Sequence, residues 1–265
     1  MTQHYKTIIV EQDGEVDWLT LNRPDALNAL NPQMTEELYH YFTALYHDHS
    51  RRIVVMKANG RAFCAGLDMS EYDASDASPQ SGFRTQVSIG DVMKAITRCP
   101  QPVIALVQGA ACGGGFSLAL ASDIRIAAED CKMNAAYIKI GLTGCDMGSS
   151  YFLPRLVGSS VAAELILTGR FIHADRALRT GLVSEVVAKD KLAAAAQSYI
   201  DDMLTTSPMG LRLTKQGYRL GADAPSLDAA MALEDRQQVL TGQTQDHPEA
   251  IKAFFEKRVP KYQDK

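Results

Sequence analysis

Along the first third of the chain, short apolar runs are separated by polar breaks. Thr7-Ile8-Ile9-Val10 and Val16-Asp17-Trp18-Leu19-Thr20-Leu21 flank Asp13-Gly14, the turn pair expected of a β-hairpin. Asn31 precedes Pro32, and Met34, Leu38, Phe42 and Leu45 then recur at helical spacing on one face, which predicts a capped amphipathic helix. Ile53-Val54-Val55-Met56, Val103-Ile104-Ala105-Leu106-Val107 and Ile124-Arg125-Ile126-Ala127 are short β-branched runs, the pattern of buried strands. Val87 to Thr97 predicts a short helix. Between Glu71 and Gly82 the chain turns to Ser, Asp, Ala, Pro and Gly, which predicts a mobile surface loop.

From Ala174 the period changes. Helical patterns run over Ala174–Thr180, Lys191–Leu204, Pro208–Leu220, Ser226–Leu240 and Pro248–Lys257. Pro208 and Pro248 suit helix starts and Gly242 suits a stop. Strands alternating with helices, followed by helices alone, predict an α/β fold. The division expected is a core over residues 1–188 and a helical appendage over residues 189–265.

The stretch Gln108 to Asp123, QGAACGGGFSLALASD, lies at the centre of this pattern. A buried strand precedes it and a buried helix begins at Gly113-Gly114-Gly115. Successive glycines at a strand-to-helix turn mean that something approaches the backbone closely. Two readings stay open. One is a tight helix–strand contact. The other is an anion or oxyanion site on the unpaired N–H groups of the helix start.

Composition narrows the field. A net charge of −4 with no Lys/Arg-rich run gives no footprint for nucleic acid. No apolar run is long enough to span a bilayer, and the polar N-terminus does not read as a signal peptide. The cysteines, Cys64, Cys99, Cys112, Cys131 and Cys145, are odd in number and lack metal-ligand spacing. They predict free thiols and a cytoplasmic protein. The glycine corner has neither the G-x-G-x-x-G spacing of a dinucleotide site nor a Walker lysine. No serine or cysteine has an evident His partner. The histidines (His4, His40, His47, His49, His173 and His247) form no paired motif.

The motifs LNRPDALNAL (Leu21–Leu30), GRAFCAGLDM (Gly60–Met69), GAACGGG (Gly109–Gly115), SDIRIAA (Ser122–Ala128), LPRLVG (Leu153–Gly158), LTGRFIHADRALRTGLV (Leu167–Val183) and FFEKR (Phe254–Arg258) occur in one order. In that order they cover nearly the whole chain, which resembles the crotonase family, the enoyl-CoA hydratase/isomerase superfamily. The resemblance implies a spiral of strand-strand-helix turns and a C-terminal helical segment that assembles a homotrimer, or a hexamer made of two trimers. It implies an acyl-CoA thioester substrate, with coenzyme A as part of the substrate and no separate cofactor. Two main-chain N–H groups, on Leu67 and Gly114, would hold the thioester enolate oxygen. Ala26, Leu27 and Ala65 would meet the CoA moiety, Gly114 would admit the acyl group with Gly113 beside it in the substrate site, and Phe254 and Lys257 of a neighbouring subunit would close over the nucleotide end. Lys257 read alone is equally a solvated charge on a helix face. Asp25 stands where some members place a lysine.

The same resemblance directs attention to three positions. Hydratases of the family carry two glutamates where this chain has Ser117 and Tyr137. Neither can act as a carboxylate, and Tyr137 is expected to wall the acyl pocket. Asp146, in GLTGCDMGSSYFLPRLVG, matches the aspartate of single-base enoyl-CoA isomerases and of aryl-CoA dehalogenases, with one extra residue after Gly141. As a residue type it is equally a turn former or helix cap. The expected reaction is isomerisation of a 3-enoyl-CoA to a 2-enoyl-CoA with Asp146 as the single base, in a pocket walled by Tyr137 and Tyr151. The alternatives are hydratase-like or dehalogenase-like addition and elimination, or a silent acyl-CoA binder.

Overall fold

The computed structural model describes residues 5–71 and 78–265. His4 and residues 72–77, half of the loop expected over Glu71–Gly82, therefore lie outside the described residues. The chain divides into two compact units, Met1–Cys99 with Val103–Ala196, and Pro100–Pro102 with Gln197–Lys265.

The first unit is α/β. A hairpin, β1 (Ile8–Asp13) and β2 (Val16–Leu21), turns at Asp13-Gly14 as the sequence predicts, with Gly14 at a φ of 56°. Helix α1 (Pro32–Ala44) starts where Asn31 accepts a hydrogen bond from the Met34 N–H, with Pro32 in the first turn. Strand β3 (Ile53–Ala58) then pairs parallel with β2. Helix α2 runs over Pro79–Arg98, not merely Val87–Thr97. Its first two turns read as loop because they are rich in Ser, Pro and Gly. In fact Ser78 caps the Ser81 N–H, and Pro79 occupies the first turn, where a missing N–H costs nothing.

Strands β4 (Val103–Val107) and β5 (Ala110–Cys112) lead into α3 (Gly114–Ala121), and β6 (Ile124–Ala128) and β7 (Lys132–Asn134) follow. Helix α4 (Ser149–Thr168) is broken at Gly158, whose φ of 74° and ψ of 162° are not helical. After β8 (Ile172–His173), α5 (Ala174–Arg179) and β9 (Glu185–Val187) comes α6 (Leu192–Leu204).

Two sheets result. The larger has the order β1-β2-β3-β4-β6-β9, antiparallel only between β1 and β2, and the smaller has the order β5-β7-β8. Two strand-strand-helix turns, β4-β5 before α3 and β6-β7 before α4, thus give one strand to each sheet, whereas β1 and β2 before α1 both join the larger. β4 is buried at every position, as a parallel strand covered on both faces must be. Leu38, Phe42, Met56, Phe63 and Phe116 belong to the single large core.

The second unit contains α7 (Pro208–Gly221), α8 (Leu227–Gly242) and α9 (Asp246–Glu256). Ser207 and Ser226 cap the first two by accepting from Gly210 and Ala229. Helix α9 begins at Asp246, two residues before the proline expected to open it. Within this unit Lys215 is buried and donates to the Gln101 carbonyl, while Arg212 pairs with Asp264 through both nitrogens. Among the described residues no helix is long and apolar enough to cross a membrane.

Candidate active site

Three backbone segments converge at the glycine corner. Cys64 donates to Ala110 O, and Cys112 donates back to Cys64 O at 3.0 Å, so the segment after Gly60 pairs with β5. On its other edge Leu30 donates to Gly66 O at 2.7 Å and Asp68 donates to Leu30 O at 2.8 Å. Peptide groups alternate direction along an extended segment. The Gly66 carbonyl and Asp68 N–H face Leu30, so the Leu67 N–H faces the opposite way. No described residue accepts from it.

The glycines make this approach possible. A Cβ on Gly115 would lie 2.1 Å from the Cys64 carbonyl oxygen, and one on Gly66 would lie 3.1 Å from the Cys112 oxygen at a φ of 110°. Gly113 has a φ of 50°, and its missing Cβ would touch the Tyr137 ring at 3.6 Å. Gly114 is the first residue of α3, so its N–H has no acceptor within the helix. Leu30 joins the two candidate donors. It bridges Leu67, and its Cδ1 lies 2.7 Å from where a Gly114 Cβ would be.

The turn holding Leu67 is braced from outside. Arg23 donates to the Ala29 carbonyl and to Asp68 at 3.0 Å, and it also pairs with Glu71, which accepts from the Asn31 amide. The Ser70 hydroxyl and the Arg23 guanidinium hold the Asp68 carboxyl below its ordinary range. Asn28 is fully buried and donates to the Asn59 and Ala62 carbonyls. Leu27 and Asn28 both adopt left-handed backbone, with φ of 52° and 55°. The Leu27 carbonyl thereby reaches the Ala65 N–H at 3.0 Å. Ala26, Leu27 and Ala65, expected together from the sequence, lie side by side and half-buried. Asp25 is exposed in the short 3-10 turn Pro24–Ala26 before them.

Ser117 is 0% exposed and Tyr137 is 5% exposed, and their hydroxyl oxygens are 2.9 Å apart. The Tyr137 oxygen is also 3.5 Å from the Gly113 carbonyl. Burial pushes the Tyr137 phenol up to about 12, against the opposing effect of Ser117. The pair is therefore neutral at any physiological pH. Burial also pushes the Cys64 thiol up to about 12 and raises that of Cys112, so neither thiol at this corner is activated as a nucleophile.

Asp146 lies in the turn before α4. Its Oδ1 accepts from the Met147 N–H at 2.7 Å and from the Gln86 amide of α2. The Met147 sulfur is 3.5 Å from where a Gly114 Cβ would stand, so this turn abuts the glycine corner. Met147 and Gly148 both have positive φ, at 43° and 86°, and the chain reverses tightly there to start α4. Asp146 is half-buried. Tyr151, expected to wall its pocket, is 42% exposed, with the Arg155 guanidinium 3.7 Å over its ring. The Gln86 amide is what reaches Asp146 in its place.

Leu67 also lines a cavity of about 690 Å³ beside α1 and α2, together with Thr35, Tyr39, Thr85, Gln86 and Ile89. That volume suits an acyl group. The remaining two expected residues belong to the second unit. Phe254 is 78% exposed near the end of α9, and Lys257 follows that helix in left-handed backbone with a φ of 54°.

Sequence reasoning missed Gln86, Asn28 and the Arg23–Asp68 pair. Arg23 and Asn28 stand inside LNRPDALNAL, where two polar residues flank a break in a strand. Gln86 had no signal, because its partner is 60 residues away.

The family model for enoyl-CoA hydratase/isomerase matches residues 11–265. The chain is 38% identical over 256 residues to a Mycobacterium tuberculosis protein named as a probable enoyl-CoA hydratase, covering 94% of this chain and 90% of that one. It is 34% identical over 249 residues to the 1,2-epoxyphenylacetyl-CoA isomerase of Escherichia coli, covering 93% and 94%. The crystal structure of an enoyl-CoA hydratase from Bacillus anthracis superposes with a TM-score of 0.93 at 32% identity, covering 98% of this chain and 100% of that one. The glycine corner, the two-sheet spiral and these matches along the whole chain agree, and the protein belongs to the enoyl-CoA hydratase/isomerase family, the crotonase superfamily.

Proposed function

We propose that the protein moves the double bond of a 3-enoyl-CoA to position 2, with Asp146 as the single base. One observation carries this reading. The two positions where hydratases of the family carry glutamates hold a neutral, mutually hydrogen-bonded Ser117–Tyr137 pair, and Asp146 is the carboxylate in the turn against the glycine corner. Adding water needs a group to activate that water and usually a second to hold it. A double-bond shift needs one group that removes a proton and returns it. Asp146 takes the proton from C2, and the electron pair of that C–H bond passes into the dienolate. The dienolate oxygen rests on the Leu67 and Gly114 N–H groups, donors of a kind typically worth about 3–4 kcal/mol each. The proton returns at C4, the double bond re-forms between C2 and C3, and Asp146 is an anion again.

Ala26, Leu27 and Ala65 hold the CoA moiety, Gly114 admits the acyl group with Gly113 beside it in the substrate site, Tyr137 walls the acyl end, and Phe254 and Lys257 of a neighbouring subunit cover the nucleotide. The chain works as a trimer or a pair of trimers, with no cofactor beyond the CoA of its substrate. Relatives are named for both hydration and isomerisation, so a name does not choose between them. The assay is formation of conjugated 2-enoyl thioester from trans-3-hexenoyl-CoA, followed by ultraviolet absorbance. Asp146→Asn should abolish it and leave binding of a saturated acyl-CoA intact. An Asn variant as fast as wild type removes the mechanism. A wild type that binds acyl-CoA yet gives no product with any enoyl-CoA is a silent binder.

A further inference from the structure

We propose that Gln86 is a positioning residue for Asp146, fixing one carboxylate oxygen so that the other faces the substrate. This rests on the reading of Asp146 as the base.

The geometry is asymmetric. Both donors that reach the carboxylate, the Gln86 amide and the Met147 N–H, meet the same oxygen, Oδ1. Among the described residues none donates to Oδ2. The charge on Oδ1 is held from two directions, and Oδ2 keeps its lone pairs for proton transfer. The turn contributes one of these donors through the backbone next to Asp146. The other comes from a separate element, α2, and it alone ties the carboxylate to a second part of the scaffold.

An amide suits the task chemically. It is neutral, so its grip does not change with pH. It donates to Oδ1 while Oδ2 is an anion, and it can continue to do so while Oδ2 carries the proton taken from C2. The hydrogen bond therefore survives the whole cycle, and no proton passes through Gln86. A lysine in its place would stabilise the anion alone and oppose uptake of the proton.

Gln86 has a second connection. With Thr85 and Ile89 it forms the α2 wall of the cavity that Leu67 also lines. An acyl chain in that cavity would pack against the residue that aims the base. Occupation of the cavity and orientation of Asp146 are thus linked through one side chain, which makes chain length and shape act on turnover as well as on affinity.

The test uses the whole chain and compares Gln86→Leu, Gln86→Ala, Asp146→Asn and the Gln86→Leu/Asp146→Asn double variant. Isomerisation of trans-3-hexenoyl-CoA gives kcat and KM, and hexanoyl-CoA, which cannot isomerise, gives the dissociation constant. Because a misplacement of about 1 Å can cost roughly 100-fold in rate, both Gln86 variants should lose about 10- to 100-fold in kcat. Hexanoyl-CoA affinity should fall far less than kcat, a readout that loss of structure would not leave intact. Asp146→Asn and the double variant should both show no isomerisation and should bind hexanoyl-CoA alike. Two results overturn the proposal: kcat within twofold of wild type in both Gln86 variants, or a loss of affinity that matches the loss of kcat. An Asp146→Asn variant as fast as wild type removes the base assignment and this proposal with it, and it is distinguished by that single variant.

Discussion

A methyl group added at Gly115 would sit 2.1 Å from the Cys64 carbonyl oxygen. That contact is with backbone on both sides, so neither can swing away. Gly115→Ala should therefore cost more than the roughly 1–3 kcal/mol of ordinary overpacking, seen as a large drop in thermal midpoint or a failure to fold. Gly114→Ala should differ in kind. Its nearest neighbour is the end of the Leu30 side chain, which can turn aside, so the expected result is a folded protein with impaired turnover. The neutral Ser117–Tyr137 pair leads to a second measurement on the wild type. General acid–base catalysis contributes about 10²- to 10⁴-fold, so crotonyl-CoA hydration should lag isomerisation by about that factor. Hydration at a rate equal to isomerisation would mean that the acids were misplaced.

At the scale of elements, charge and backbone make separate predictions. Glu164 near the end of α4 accepts from both terminal nitrogens of Arg176 on α5, each at 2.7 Å. The Arg176 hydrogen bonds and charge lower its carboxyl from 4.5 to about 2. A carboxyl held below its unfolded value adds stability above that value and loses it as the acid is bound. Stability from this tie should therefore be full above about pH 4.5 and decline as the pH falls towards 2. Acid titration of the thermal midpoint should show a shallower decline in Glu164→Gln. Gly90 lies inside α2 with nothing within 4 Å of its missing Cβ, so Gly90→Ala should stabilise by about 0.5–1 kcal/mol, measured by urea unfolding.

Elements with a local signature were legible before the structure. Asp13-Gly14 specifies its hairpin and Asn31-Pro32 its helix start, because each turn or cap depends on adjacent residues. β5 and β7 were not legible. Each has three residues, too few to express a period. α4 was obscured by Pro154 inside it and by the break at Gly158. The glycine corner could be located, but which glycine serves packing depends on Cys64, a residue remote in sequence. The link between Gln86 and Asp146 is likewise a product of the fold.

For the whole molecule, the proposed trimer gives a direct measurement. Phe254, Phe255 and Val259 are exposed in the second unit, as are Leu227 and Val239 on α8. Large apolar side chains at that exposure are ones that association would cover. Sedimentation equilibrium at micromolar concentration should give the mass of three chains or six. A stable monomer would remove the assembly, and with it the role of Phe254 and Lys257 across the subunit boundary.

The proposed donors of Leu67 and Gly114 are peptide N–H groups, and a peptide N–H is present whatever side chain its residue carries, proline excepted. Reassigning the reaction does not require rebuilding this part of the site. The side chains proposed to choose the chemistry, Ser117, Tyr137 and Asp146, sit on α3, in the short turn Ala136–Ile140 and in the loop before α4. The scaffold separates what must be kept from what can be rewritten. A lineage that alters those three positions would inherit the proposed anion cradle at every intermediate step.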